Sequence, residues 1–129
     1  MPGAADGQND LVVIIDDDVA VGDSMAFLLE SAGYRTMTFR SAAGFLSDRE
    51  VRPACLIVDH HMPDMTGLRL AERLHQASAN IPFLLVTAAL TPAIASGAAR
   101  FGVQEVLAKP FEPDDLLKFV AASLASGDH

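Results

Sequence analysis

Three continuous apolar runs, at 11–15 (LVVII), 54–58 (ACLIV) and 81–86 (IPFLLV), constrain this chain more than anything else in it. A strand with one wet face alternates polar and apolar residues, whereas one buried on both faces reads as an unbroken aliphatic run. Residues 34–39 and 103–108 are weaker segments of the same kind. Between the runs the apolar spacing becomes helical: Val21, Met25, Leu28 and Leu29, then Leu70, Leu74 and Ala77, then Ile94, Gly97, Ala98 and Phe101, and last Leu117, Val120, Ala121 and Leu124. A shorter helix is predicted over 42–51, with Ser41 as its cap. Gly33 and Gly102 stand where helices should stop, and Pro92 and Pro113 where helices should begin.

Strands and helices therefore alternate about five times, which predicts right-handed crossovers and an α/β fold: a doubly wound, five-stranded parallel sheet with helices on both faces. Residues 11–125 are expected to form this one domain, after a disordered lead-in over 1–10 and before a tail or linker start at 126–129. No apolar run approaches the roughly 20 residues needed to span a bilayer, and the first ten residues carry neither a basic cluster nor an apolar segment of the secretory kind. The single cysteine, Cys55, lies inside an apolar run and reads as a small buried thiol, which fits a reducing cytoplasm. Nine Lys and Arg against seventeen Asp and Glu leave a net charge of −8, so direct binding to a nucleic-acid backbone is not expected of this domain.

In a doubly wound sheet the ligand site lies beyond the carboxyl ends of the strands. Asp16, Asp17 and Asp18 follow the first run, Asp59 the third strand, Thr87 the fourth, and Lys109-Pro110 the fifth, so the polar residues of chemical interest share one edge. Converging carboxylates repel one another and need a counter-charge. A hard divalent cation held by oxygen supplies it, and Mg²⁺ suits a site with few carboxylates, several waters and a phosphate oxygen. With a mobile ammonium from Lys109 and a hydroxyl from Thr87, these parts describe phosphoryl transfer to a carboxylate.

The segments IIDDD at 14–18, VDHHMPDMTG at 58–67, VTA at 86–88 and KPF at 109–111 resemble the four signatures of response-regulator receiver domains, over about residues 11–124. SAAGFL at 41–46 further resembles the FixJ-like subgroup, whose members carry a C-terminal helix-turn-helix. The resemblance implies a flavodoxin-like receiver fold and a signalling module rather than an enzyme. It implies that Asp59 is the phosphoacceptor, that Asp16 and Asp17 hold Mg²⁺ with Asp17 as the direct ligand, and that the backbone carbonyl of His61 is a further ligand. It also implies that Thr87 is the switch hydroxyl, that Lys109 pairs with the phosphate, and that Pro110 follows a cis peptide bond. A sensor histidine kinase is the implied donor, a phosphorylation-dependent homodimer a possible state, and transcription the regulated process, through a separate effector module.

Plainer readings stand beside these. Asp18 reads as a solvated helix cap, and Pro63 and Gly67 as turn-makers. The pair His60-His61 invites a transition-metal reading, but adjacent side chains in a loop point apart and no third histidine is near in sequence. Val106 stands where the family carries Tyr or Phe, which puts the coupling of Thr87 to a ring in doubt and keeps open a receiver-like interaction domain with impaired switching. An aspartyl-phosphate phosphatase is the other alternative, although its nucleophile belongs on the first strand. Gly97 inside an Ala-rich helix costs about 1 kcal/mol relative to Ala, so the output face is expected to be loosely held.

Overall fold

The computed structural model describes residues 10–126. In chain order the elements are β1 (Leu11–Ile15), α1 (Val19–Ser31), β2 (Arg35–Phe39), α2 (Ala42–Ser47), β3 (Cys55–Asp59), α3 (Gly67–Gln76), β4 (Phe83–Thr87), α4 (Pro92–Arg100), β5 (Glu105–Ala108) and α5 (Pro113–Ser126). The strands lie in the order β2-β1-β3-β4-β5 and every neighbouring pair is parallel. The doubly wound parallel sheet expected from the alternation is the one observed, in the flavodoxin-like form that the resemblance implies. Apart from Asp10 and Ser126, the expected lead-in and tail lie outside the described residues.

Side-chain alternation along the strands divides the core in two. Val12, Ile14, Cys55, Ile57, Leu84 and Val86 face α1 and α5, meeting Met25, Leu29, Leu116, Phe119 and Val120. Val13, Ile15, Leu56, Val58, Phe83 and Leu85 face the other way, against Ala42, Phe45, Leu70 and Ala71, with Ile94 and Phe101 packed at the margin. β3 and β4 are buried along their whole length, which is why they read as unbroken apolar runs. Burial pushes the Cys55 thiol up to about 12, so it stays protonated and inert.

Several boundaries differ from the sequence reading, each for a local reason. β4 begins at Phe83 and not at Ile81, because Pro82 has no N–H to give the ladder, although its carbonyl still accepts from Leu56 N at 2.8 Å. β3 extends to Asp59, which pairs in register with Val86. α2 stops at Ser47 and does not reach Val51: the Asp48 carboxylate accepts from Glu50 N and Val51 N, at 3.0 and 3.2 Å, and turns the chain away. Ser41 does cap α2, accepting from Gly44 N at 3.0 Å, and the Lys109-Pro110 bond is cis as expected.

Two glycines prove to be packing residues. A Cβ on Gly67 would lie 2.6 Å from the Asp59 carbonyl oxygen and 2.7 Å from Leu85 Cδ1, so the start of α3 fits against the end of β3 only without a side chain. A Cβ on Gly97 would lie 2.7 Å from Leu68 Cδ2, so this glycine gives α4 its close seat on α3 rather than simply weakening it. Gly67→Ala is expected to destabilise the domain by about 1 to 3 kcal/mol, since backbone must move to admit the methyl group; urea unfolding would measure it, and an unchanged midpoint would refute the packing role.

Candidate functional site

The strand register brings Asp16, Asp17, Asp59 and Lys109 to one place. β1 and β3 lie side by side, with Ile15 opposite Val58, so the residues that follow them emerge together. Asp16 is 4% exposed and Asp59 is 6% exposed, while Asp17 is open to solvent. Carboxylate oxygens of the three lie within 4.8 Å of one another. Lys109 Nζ stands 3.1 Å from Asp59 Oδ1. The Lys109 backbone N–H donates to the Thr87 carbonyl at 2.8 Å, which ties the end of β5 to the end of β4.

Charge balance in this pocket is poor. At an effective dielectric near 20, two carboxylates at such a separation repel by on the order of 3 kcal/mol, and one ammonium set against three carboxylates leaves an excess of two negative charges. Burial is the chief reason that the Asp16 carboxyl is held above its ordinary range, with the charges of Asp59 and Asp17 adding to it; the Asp18 amide and Lys109 act the other way. Asp16 Oδ1 accepts from Asp18 N at 2.9 Å, but Asp16 Oδ2 is buried with no hydrogen-bond partner. An orphaned buried carboxylate oxygen, beside two more carboxylates and no soft donors, fits a hard oxygen-seeking divalent cation such as Mg²⁺.

The remaining predicted residues fall around this pocket. Asp18 is the α1 cap, accepting from Ala20 N at 3.1 Å and Val21 N at 3.3 Å, as its plainer reading had it. Thr87 is fully buried, and its hydroxyl donates to the Ala89 carbonyl at 3.1 Å and accepts from Ala89 N at 3.3 Å. In this state the hydroxyl is engaged by the loop after β4. His60 is pinned by its backbone to Val86 and Gly67, and its Nδ1 faces Leu68 N at 3.4 Å. Burial and then the neighbouring His61 lower its pKa, which suits a neutral acceptor ring. The two side chains do not point apart as expected, since the exposed His61 ring stands T-shaped to His60 at 5.1 Å, but they join no convergent ligand group among the described residues.

Val106 is half-buried opposite Leu85, on the α3 and α4 side, where Ile94 and Phe101 also pack. By alternation Thr87 faces the same side. One contact in the loop after Asp59 escaped sequence reasoning: Asp64 Oδ2 accepts from Ala43 N at 2.8 Å, across 21 positions of sequence. That bond holds the exposed Asp64 carboxyl below its ordinary range. No local pattern signals such a partner.

Fold and pocket together define a doubly wound α/β domain with an acidic cation-type site facing a lysine at the carboxyl edge of its sheet. The family model for the response regulator receiver domain matches residues 12–121. The transcriptional regulatory protein FixJ of Azorhizobium caulinodans is 36% identical over 114 residues, 88% of this chain and 54% of that protein. The response regulator protein TmoT of Ectopseudomonas mendocina is 33% identical over 118 residues, 91% of this chain and 54% of that protein. The chain thus spans about half the length of these curated relatives. Among solved structures, the crystal structure of FixJ-N superposes with a TM-score of 0.82 at 31% identity, covering 92% of this chain and 95% of that one. A CheY-like receiver domain protein from Methanospirillum hungatei gives 0.83 at 26% identity, covering 92% and 95%. The chain belongs to the response regulator receiver domain family and is a FixJ-like receiver of two-component signalling.

A carboxyl whose folded pKa lies above its unfolded value of 3.8 binds protons more tightly in the folded state, so its contribution to stability is lost as pH rises through the folded value. In the presence of a chelator at neutral pH, Asp16→Asn is therefore expected to raise the melting temperature, and the gain should shrink as pH falls toward 3.8. Melts by circular dichroism across that range would check it; an equal gain at every pH would contradict the electrostatic origin.

Proposed function

We propose that this domain is a phosphorylation-controlled switch in which Asp59 accepts a phosphoryl group from the phosphohistidine of a sensor kinase. The observation that carries the reading is the orphaned Asp16 Oδ2 beside Asp17 and Asp59, with Lys109 Nζ 3.1 Å from the Asp59 carboxylate. Asp16, Asp17, Asp59 and the His61 backbone carbonyl are the protein's ligands for Mg²⁺. When bound there, the ion offsets charge on the phosphoryl oxygens.

The chain's own part is positioning. An Asp59 carboxylate oxygen forms the bond to phosphorus as the donor's P–N bond breaks, and the departing imidazole takes a proton from solvent. The Lys109 ammonium, already at Asp59 Oδ1, balances charge before and after the transfer. The product carries about −1.5 to −2 charges in place of one. Thr87 answers that change: a hydroxyl now bonded to Ala89 becomes a donor to the phosphoryl group, which releases the loop between β4 and α4. The affected surface is α4, β5 and α5, through which a second copy or an effector module docks. The name of the FixJ relative, a transcriptional regulatory protein, points to transcription as the output.

A second reading, a receiver-like domain that binds partners without a complete phospho-switch, is favoured by Val106. A valine fills less of the space that Thr87 would vacate than an aromatic ring does. Incubation with acetyl phosphate and Mg²⁺ followed by intact mass is expected to show one added phosphoryl group, lost in Asp59→Asn. Labelling that survives the substitution would overturn the assignment of Asp59, and a wild type that takes no label would favour the second reading.

A further inference from the structure

We propose that Asp64 is a positioning residue for the acidic site: its carboxylate fastens the loop that follows Asp59 to the first turn of α2 and so fixes where that loop's backbone stands. The inference rests on the proposed reading of Asp59 and His61. The loop runs over residues 60–66, between the end of β3 and the start of α3. Its two ends are held by backbone bonds, His60 N to the Val86 carbonyl at 2.8 Å and Gly67 N to the His60 carbonyl at 2.9 Å. Between them Met62 dips into the core beside Ala42 and Phe45, with 8% of its surface exposed. Two residues on, Asp64 Oδ2 accepts from Ala43 N at 2.8 Å.

α2 is the fixed post in this arrangement. Ala42 is fully buried and Phe45 is 6% exposed, with the Phe39 ring edge-on to Phe45 at 5.6 Å. Ser41 already caps the helix through Gly44 N, so Asp64 reaches a different donor of the same turn. A carboxylate on a backbone N–H at a helix start is a charge-assisted bond with a favourable dipole behind it. Met62 limits how far the loop lifts from the core, and Asp64 limits how far it slides along it. His61 lies between Asp59 and these two anchors, so its carbonyl is held from both sides. Residues that orient a ligand from behind in this way govern metal affinity without touching the metal.

The test is a Mg²⁺ titration of the full chain, followed by amide chemical shifts and by the Mg²⁺ dependence of phosphorylation from acetyl phosphate. Asp64→Ala is expected to raise the half-saturating Mg²⁺ concentration about tenfold, the low end for such orienting residues. Asp64→Asn keeps an acceptor oxygen and should stay near the wild type. Ala43→Pro deletes the donor N–H from the other side, at a first-turn position that tolerates proline, and should reproduce the Asp64→Ala shift even if that variant folds poorly. Ser41→Ala weakens the same helix without touching the loop, and should lower the melting temperature while leaving the Mg²⁺ midpoint in place. A wild-type midpoint in both Asp64→Ala and Ala43→Pro would overturn the inference. So would an equal shift in Ser41→Ala, which would reduce Asp64 to a helix cap. A wild type that ignores Mg²⁺ would instead sink the reading of the site itself, and this inference with it.

Discussion

Everything distinctive about this domain follows from three carboxylates gathered at the carboxyl edge of a buried parallel sheet. β1 and β3 are adjacent and in register, so the residues after Ile15 and at the end of β3 meet whether or not their charges are compatible. Core packing forces this proximity: among the described residues, eleven buried apolar side chains on each face fix the strands at whose ends the carboxylates stand. The cost appears in the raised pKa of Asp16 and in its unpartnered Oδ2. Lys109 offsets part of it, and the remainder leaves a set of oxygen donors that fits a hard cation.

A site under electrostatic tension at a sheet edge is well placed to act as a switch, because small changes of charge there alter a large interaction energy. The elements nearest the pocket differ in how firmly they are held. α2 and α3 bury Ala42, Phe45, Leu70 and Ala71, whereas Ala98 is the one buried residue of α4. Leu90, in the loop that leads into α4, is 51% exposed. An element with so little buried apolar surface has a low free energy of local rearrangement. The Thr87 hydroxyl sits between these two regimes, on a rigid strand yet bonded to the loop that leads to α4.

Much of this was legible in the sequence, because the signals involved are local or periodic. Unbroken apolar runs mark strands buried on both faces, and the rule placing ligand sites at strand carboxyl ends then gathers Asp16, Asp17, Asp59, Thr87 and Lys109 from positions up to 93 residues apart, the span between Asp16 and Lys109. The end of α2 was missed because Asp48 stops that helix through bonds to Glu50 and Val51 that compete with an otherwise acceptable helical pattern. Gly67 and Gly97 were read as a turn and a weak point, since the backbone of β3 that requires the first and the Leu68 side chain that packs on the second are invisible in one dimension. Asp64 was passed over for the same reason, its partner being on another element.

The proposed site for one hard divalent cation rests on charge crowding among Asp16, Asp17 and Asp59. The most direct measurement is the anomalous difference map of crystals of the full chain soaked in Mn²⁺, a stand-in for Mg²⁺ with the same preference for oxygen. A single strong peak is expected, bounded by the carboxylates of Asp16, Asp17 and Asp59 and the backbone carbonyl of His61. A pocket without a peak, or a peak on the imidazoles of His60 and His61 instead, would contradict it.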